Sequence, residues 1–152
     1  MKTLILGLGN PILCDDAVGI RVVQEISKTF SNPQVTVAES SLAGLSFLDY
    51  VVGYDEVIII DAIQTKEGKV GQIYCMEPQD FSFAKHPSSP HQINLVTALE
   101  LGKLLNLPMP RKITIFAIEV KDVTKFSEKC TPDVERVIPE AVRMVMEETI
   151  RG

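Results

Sequence analysis

The sequence predicts an α/β protein whose helices cover both faces of a twisted, mostly parallel, five-stranded sheet. Apolar runs typical of strands alternate along the chain with segments whose apolar residues recur every three or four positions. The run at residues 57–60 is continuously apolar and β-branched, which is typical of a parallel strand buried on both faces. The chain has 152 residues, of which 45% are hydrophobic, which suits one domain with its own core. We therefore expect a single domain over residues 1–152.

The amino-terminal half begins with an apolar strand and an amphipathic helix. In that helix Val18, Val22 and Ile26 share one face, and Asn32 and Pro33 end it. A short strand and a short helix then lead to the buried strand. The predicted elements are, in order, a strand at 2–8, a helix at 16–30, a strand at 35–38, a helix at 43–50 and a strand at 57–60.

The carboxy-terminal half continues the alternation after a polar turn at residues 66–69. Its predicted elements are a strand at 70–76, a loop at 80–90, a helix at 94–105, a strand at 112–119 and a last helix that begins at Thr131. Thr131 is a favourable N-cap, and Pro132 suits the first helical position. The predicted buried side of this helix consists of Val134, Val137, Ile138, Ala141, Val145 and Ile150.

The turn after the first strand resembles a phosphate-binding loop but lacks its key features. A dinucleotide fingerprint needs a third glycine, and Ile12 stands at that position after Gly7 and Gly9. Asp15 and Asp16 begin the following helix, where they would repel phosphate but are favoured by the helix dipole. We therefore expect this turn to present carboxylate oxygens outward, for a cation or for acid–base chemistry.

Three acidic positions are expected to meet at one edge of the sheet. In an open parallel sheet, ligands bind outside the carboxyl ends of the strands. The loop at residues 10–16, Glu39 and Asp61 all follow predicted strands there. His91 precedes a helix, and two carboxylates with an imidazole can coordinate a divalent transition metal. Each residue also has a purely structural interpretation, as a cap, a turn residue or a surface histidine, and spacing alone does not decide between them.

Composition excludes several classes of function. The net charge of −5 without a basic cluster argues against a nucleic-acid partner. The longest apolar run is far too short for a membrane span, and the first residues do not resemble a signal peptide. Cys14, Cys75 and Cys130 form an odd number without framework spacing, so we expect reduced thiols and a cytoplasmic location.

Four segments together resemble the hydrogenase maturation proteases over nearly the whole chain. The segment from Gly7 to Gly19, GLGNPILCDDAVG, is similar to the amino-terminal signature of that family. The later matches are IIIDA ending at Ala62, SPHQ around His91 and TPDV at the start of the last helix. Members of this family are endopeptidases that remove a C-terminal extension from the precursor of a nickel–iron hydrogenase large subunit after nickel delivery. The resemblance also implies a three-layer α/β/α sandwich.

The same resemblance implies a set of site residues. The metal-contacting positions of the family correspond to Asp16, Asp61 and His91, and the two aspartates are the catalytic candidates of an aspartyl-type peptidase. Gly9, Asn10 and Glu39 are candidate substrate contacts. The expected metal is nickel that arrives with the substrate, and no permanent cofactor is expected.

Two other hypotheses remain open from the sequence. In the first, Cys14 is a nucleophile that acts with His91 and Asp61, since a thiol near a helix N-terminus can have a lowered pKa. In the second, the protein is a binding module that carries nickel without peptidase activity. A nucleotide-binding version of the second is disfavoured by Ile12 and the paired aspartates.

Overall fold

The described residues of the computed structural model, 1–41, 47–81 and 95–151, form a five-stranded sheet flanked by helices. The strands are β1 (Thr3–Leu8), β2 (Val35–Ser40), β3 (Glu56–Ile63), β4 (Ile73–Met76) and β5 (Lys112–Glu119). The helices are α1 (Val18–Thr29), α2 (Phe47–Val51), α3 (Pro78–Phe81), α4 (Leu95–Leu104) and α5 (Pro132–Arg151), and a short 3-10 helix, Cys14–Ala17, precedes α1. Within these ranges no helix is both long and apolar enough to span a bilayer.

The strand order is β2-β1-β3-β5-β4, with β4 antiparallel to β5 and the other neighbours parallel. This confirms the predicted mostly parallel sheet. The chain leaves β1 for β2 at one side and later returns to β3 at the other side of β1. The order of strands therefore reverses between β1 and β3. Such a reversal opens a crevice at the carboxyl ends of the two strands, where α/β proteins bind their ligands.

The two faces of the sheet are covered by different helices, which confirms the three-layer sandwich. Side chains of β3 alternate between the faces, as expected for a strand. Ile58 and Ile60 pack with residues of α1 and α5. Val57 and Ile59 pack with residues of α2 and α4. The continuous apolar pattern of this strand thus reflects burial on both sides.

Several predicted boundaries were wrong. Asp16 belongs to the 3-10 helix and not to the first turn of α1. The strand β3 continues past Asp61 to Ile63, because β5 pairs with it as far as Glu119. In α5 the buried positions end at Val145, and Ile150 is 81% exposed. The predicted helix at 43–50 and the predicted loop at 80–90 lie partly outside the described residues.

Glycines allow the start of α1 to lie directly against the ends of β1 and β3. A Cβ atom on Gly19 would stand 2.2 Å from the carbonyl oxygen of Ile60 and 2.6 Å from that of Leu8. A Cβ atom on Gly7 would stand 2.3 Å from the carbonyl oxygen of Gly19. Any other residue at these positions would push the helix off the sheet. The glycines of the first motif therefore set the distance between the 3-10 helix and the strand ends.

We expect Gly19→Ala to lower the free energy of unfolding by at least about 3 kcal/mol, because backbone atoms in two strands must move to admit the methyl group. Gly102→Ala is the matched control. Gly102 is also buried in a helix, but its added Cβ would meet the flexible side chain of Met109. Urea denaturation of both variants measures the difference. Equal losses in the two variants would contradict the role given to Gly19.

A buried glutamate at the amino ends of the strands makes the free energy of unfolding depend on pH. Glu56 begins β3, is 3% exposed, and its Oε1 accepts no hydrogen bond within the described part of the chain. Burial raises the pKa of Glu56, the Nζ of Lys112 at 4.0 Å partly opposes this, and Glu148 adds to it. The folded protein therefore holds this proton more tightly than the unfolded chain. Its stabilising contribution is present at low pH and is lost as pH rises above the ordinary value of 4.5.

We expect Glu56→Gln to remove this loss. The free energy of unfolding of the variant, relative to that of the wild type, should rise between about pH 4 and about pH 7. Denaturant titrations at several pH values in this interval measure it. Parallel pH profiles for the two proteins would rule the assignment out.

Candidate active site

The loop after β1 positions the carboxylate of Asp16. Asn10 closes the loop, since its Oδ1 accepts the backbone N–H of Ile12 at 3.1 Å and its carbonyl accepts that of Leu13 at 3.2 Å. The backbone N–H of Asn10 donates to Oδ2 of Asp16 at 3.0 Å. Gly9 has a φ of 146°, and a Cβ there would lie 2.0 Å from the carbonyl oxygen of Asp16. Gly9 and Asn10, predicted as substrate contacts, are therefore both in contact with Asp16.

Asp61 lies in β3 where the pairing with β1 has ended. The ladder between these strands stops at Gly7 and Ile60, whereas Asp61 still pairs with Ala117 of β5. Alternation places its side chain on the face that carries Ile59, which is the face covered by α2 and α4. Asp61 is fully buried, and its Oδ1 accepts the backbone N–H of Ala62 at 2.8 Å. Asp16 thus follows β1 in the 3-10 helix, and Asp61 lies in the last part of the neighbouring strand β3, beyond the end of its ladder with β1.

The two adjacent aspartates have different environments, which the sequence does not reveal. Asp15 accepts hydrogen bonds from the backbone N–H groups of Thr131, Lys121 and Asp122 at 2.6, 3.0 and 3.1 Å. The hydroxyl of Thr131 donates to it at 2.8 Å. Asp15 therefore fastens the segment after β5 and the start of α5 to the 3-10 helix. The expectation that both carboxylates point outward was wrong, since Asp15 is 0% and Asp16 is 3% exposed.

Of the remaining predicted site residues, Glu39 lies on the neighbouring strand, opposite Gly7 of β1, and His91 lies outside the described ranges. Glu39 is exposed at the end of the edge strand β2 and accepts a hydrogen bond from Nε2 of Gln24 at 3.2 Å. His91 lies outside the described residues, shortly before α4. Within residues 1–41, 47–81 and 95–151, no group of three His, Cys, Asp or Glu side chains is arranged to hold a metal ion. The predicted set of metal contacts therefore depends on His91.

The structure provides no support for Cys14 as a nucleophile. Cys14 is 3% exposed, and its Sγ donates to Oδ1 of Asp15 at 3.9 Å. Burial, with the nearby charge of Asp15, raises the pKa of the Cys14 thiol instead of lowering it. Burial also raises the pKa of the neighbouring Cys130 to about 12. Both groups are therefore protonated at neutral pH, which disfavours nucleophilic attack.

We expect Cys14→Ser to retain cleavage activity within about a factor of three, because the thiol takes no part in the chemistry. Alkylation of the native protein should occur at Cys75, which is exposed, before it occurs at Cys14 or Cys130, which are buried. Mass spectrometry after timed iodoacetamide treatment measures the order. Loss of cleavage on modification of Cys14 alone would contradict this prediction.

An α/β fold with acidic residues beside the reversal of strand order is compatible with a hydrolytic enzyme. Comparison with known families identifies the class of enzyme. The family profile described as hydrogenase maturation protease matches residues 20–148 of the chain. The protein belongs to the hydrogenase maturation protease family and is an endopeptidase.

Individual relatives agree with this assignment. The chain is 28% identical over 148 residues to the hydrogenase 2 maturation protease of Escherichia coli K12, covering 96% of this chain and 89% of that protein. The solved structure of the hydrogenase maturating endopeptidase HybD from E. coli superposes with a TM-score of 0.87 at 27% identity, covering 99% and 93% of the two chains. A NiFe hydrogenase maturation protease from Thermococcus kodakarensis, at 20% identity and a TM-score of 0.75, shares the fold over 97% and 98% of the two chains.

Proposed function

We propose that this protein removes the C-terminal extension from the precursor of a nickel–iron hydrogenase large subunit, and that nickel held by the precursor licenses the cut. Membership of the maturation protease family supports the reaction class. The similarity to the hydrogenase 2 maturation protease of E. coli supports a hydrogenase as the source of the substrate. The three cysteines are free thiols, which fits a reducing compartment, and we place the reaction in the cytoplasm.

In this proposal Asp16, Asp61 and His91 reach the nickel of the substrate. The observation that carries it is that Asp16, in the 3-10 helix after β1, and Asp61, in the carboxyl-terminal part of β3, belong to the two strands between which the strand order reverses. His91 precedes α4, and that helix packs on the face of the sheet that carries Asp61. Carboxylate oxygens and an imidazole are ligands that nickel accepts. Glu39, Gly9 and Asn10 would contact the polypeptide of the precursor.

The proposed chemistry has two parts. The nickel of the substrate polarises the scissile carbonyl or a water molecule. Asp16 or Asp61 accepts a proton from the attacking water as a general base, which makes the enzyme an aspartyl-type peptidase. The hydrogen bond from Asn10 holds the Asp16 carboxylate in a fixed orientation for either role. No metal is expected to stay with the protease. A precursor without nickel would therefore leave the active site without its metal ion.

The test compares cleavage of the purified precursor with and without bound nickel. The proposal predicts that mass spectrometry detects loss of the C-terminal extension only from the nickel-loaded precursor. Calorimetry with nickel and the isolated protease separates this proposal from the nickel carrier. A checkpoint protease binds nickel weakly or not at all, and a carrier binds it with submicromolar affinity. Equal cleavage of the precursor with and without nickel would contradict the nickel checkpoint. Failure to cleave both forms would contradict the proposed reaction.

A further inference from the structure

We infer that a lysine-lined cavity beside the site is the docking point for an acidic segment of the precursor, an inference that rests on the function proposed above. The cavity has a volume of about 800 Å³. Its wall is formed mainly by the segment after β5, together with Cys14 after β1 and Gln64 after β3. It therefore opens at the carboxyl edge of the sheet, and Cys14 belongs to the same 3-10 helix as Asp16.

The charge of this lysine cavity is opposite to that of the whole protein. Lys121, Lys125 and Lys129 line it and are exposed. Within the described part of the chain, none of their ammonium groups forms an ion pair. Asp122, the acidic residue of the lining, directs Oδ1 to the backbone N–H groups of Thr124 and Lys125 at 2.9 and 3.0 Å. A positive cavity on a chain of net charge −5 attracts carboxylates to this place specifically.

The wall of the lysine cavity is held in place before any partner binds. Asp15 fixes the backbone of Lys121 at the beginning of the wall. Further along, the backbone N–H of Cys14 donates to the carbonyl of Ser127 at 3.0 Å, and that of Ser127 donates to the carbonyl of Ile12 at 2.9 Å. A preformed surface loses little conformational entropy on binding, so its charges can contribute fully to affinity.

Two exposed apolar residues belong to the segments that adjoin the lysine cavity. Phe126 is 79% exposed and Ile12 is 50% exposed. They belong to the two segments that the bridge between Leu13 and Ser127 joins, so their backbones lie next to each other. Exposed aromatic and aliphatic anchors beside a ring of charge are typical of protein interfaces. The combination fits a polypeptide segment that carries carboxylates next to an apolar residue.

The test uses charge reversal in the full-length protein with the nickel-loaded precursor as the probe. The variant is K125E/K129E, and the matched control is K28E/K103E. Lys28 and Lys103 are exposed near the ends of α1 and α4, at the opposite edge of the sheet, and the control changes the net charge by the same amount. Lys28 also pairs with Glu25 at 2.9 Å, an exposed ion pair whose loss costs about 1 kcal/mol at most. Both the kinetic constants of cleavage and direct binding of the precursor by surface plasmon resonance are measured at several salt concentrations.

The inference predicts that K125E/K129E raises KM about tenfold or more with little change in kcat, and weakens binding to the same extent. The KM of the wild type and of the control should rise with salt, whereas that of K125E/K129E should not. A KM and a binding affinity of K125E/K129E equal to those of the control would overturn the inference. A wild type that binds the precursor through these lysines but never cleaves it would refute the proposed function and leave the docking site intact.

Discussion

Asp16→Asn is expected to lower kcat for cleavage of the nickel-loaded precursor by at least about 100-fold, the usual contribution of a general base or of a charged metal contact. The amide keeps an oxygen that can accept the hydrogen bond from Asn10, so the loop after β1 should keep its shape. What is lost is the negative charge. The same reasoning predicts a comparable loss for His91→Ala, which removes the proposed imidazole contact to nickel.

The measurement is the initial rate of release of the C-terminal peptide, followed by mass spectrometry, together with circular dichroism to verify folding. Asp49→Asn is the matched control, because Asp49 is an exposed aspartate on α2 and belongs to none of the proposed contacts. It should cleave at the rate of the wild type. Normal processing of the precursor by both Asp16→Asn and His91→Ala would contradict the proposed roles of these residues.

Asp15→Asn, by contrast, is expected to destabilise the fold by about 3 kcal/mol or more, because it leaves part-buried donors without an acceptor. Both oxygens of Asp15 accept hydrogen bonds, from the backbone and hydroxyl of Thr131 and from the backbone of Lys121 and Asp122. An asparagine offers one acceptor oxygen in place of two. The side with its NH2 group would face a donor.

Urea denaturation of Asp15→Asn and Asp16→Asn compares the contributions of the two aspartates to stability. The chemical change is the same in both variants and is made at adjacent positions. We expect a large drop in the free energy of unfolding for the first and a small one for the second. The reverse order would mean that Asp16, and not Asp15, is the structural residue, and equal effects would contradict the division of roles between the two aspartates.

The fold was predictable because its signals are local and repeated. The strand at 112–119 was predicted with the boundaries that the structure has, since its apolar run ends in polar residues at both sides. The helix α5 begins at Pro132, after Thr131, as capping preferences predict. The extension of β3 beyond Asp61 was missed, because it depends on pairing with β5, which is distant in sequence.

The candidate site was predictable only in part. Nothing in the sequence distinguishes Asp15 from Asp16, because the donors that bind Asp15 come from residues more than a hundred positions away along the chain. The close approach of Gly19 to β3 is likewise a three-dimensional property. Chemical type and order along the chain do indicate the paired aspartates, Asp61 and His91 as candidates. The resemblance to the family motif is what singles out Asp16 from the pair.

The most direct test is the coordination of nickel in the precursor when the protease binds it. The nickel K-edge spectrum of the loaded precursor is recorded alone and after mixing with the wild-type protein, frozen before turnover. New oxygen and imidazole ligands are predicted in the mixture, and the imidazole should be absent with His91→Ala. A nickel spectrum that the protease leaves unchanged while cleavage proceeds at its normal rate would contradict direct contact between this protein and the metal.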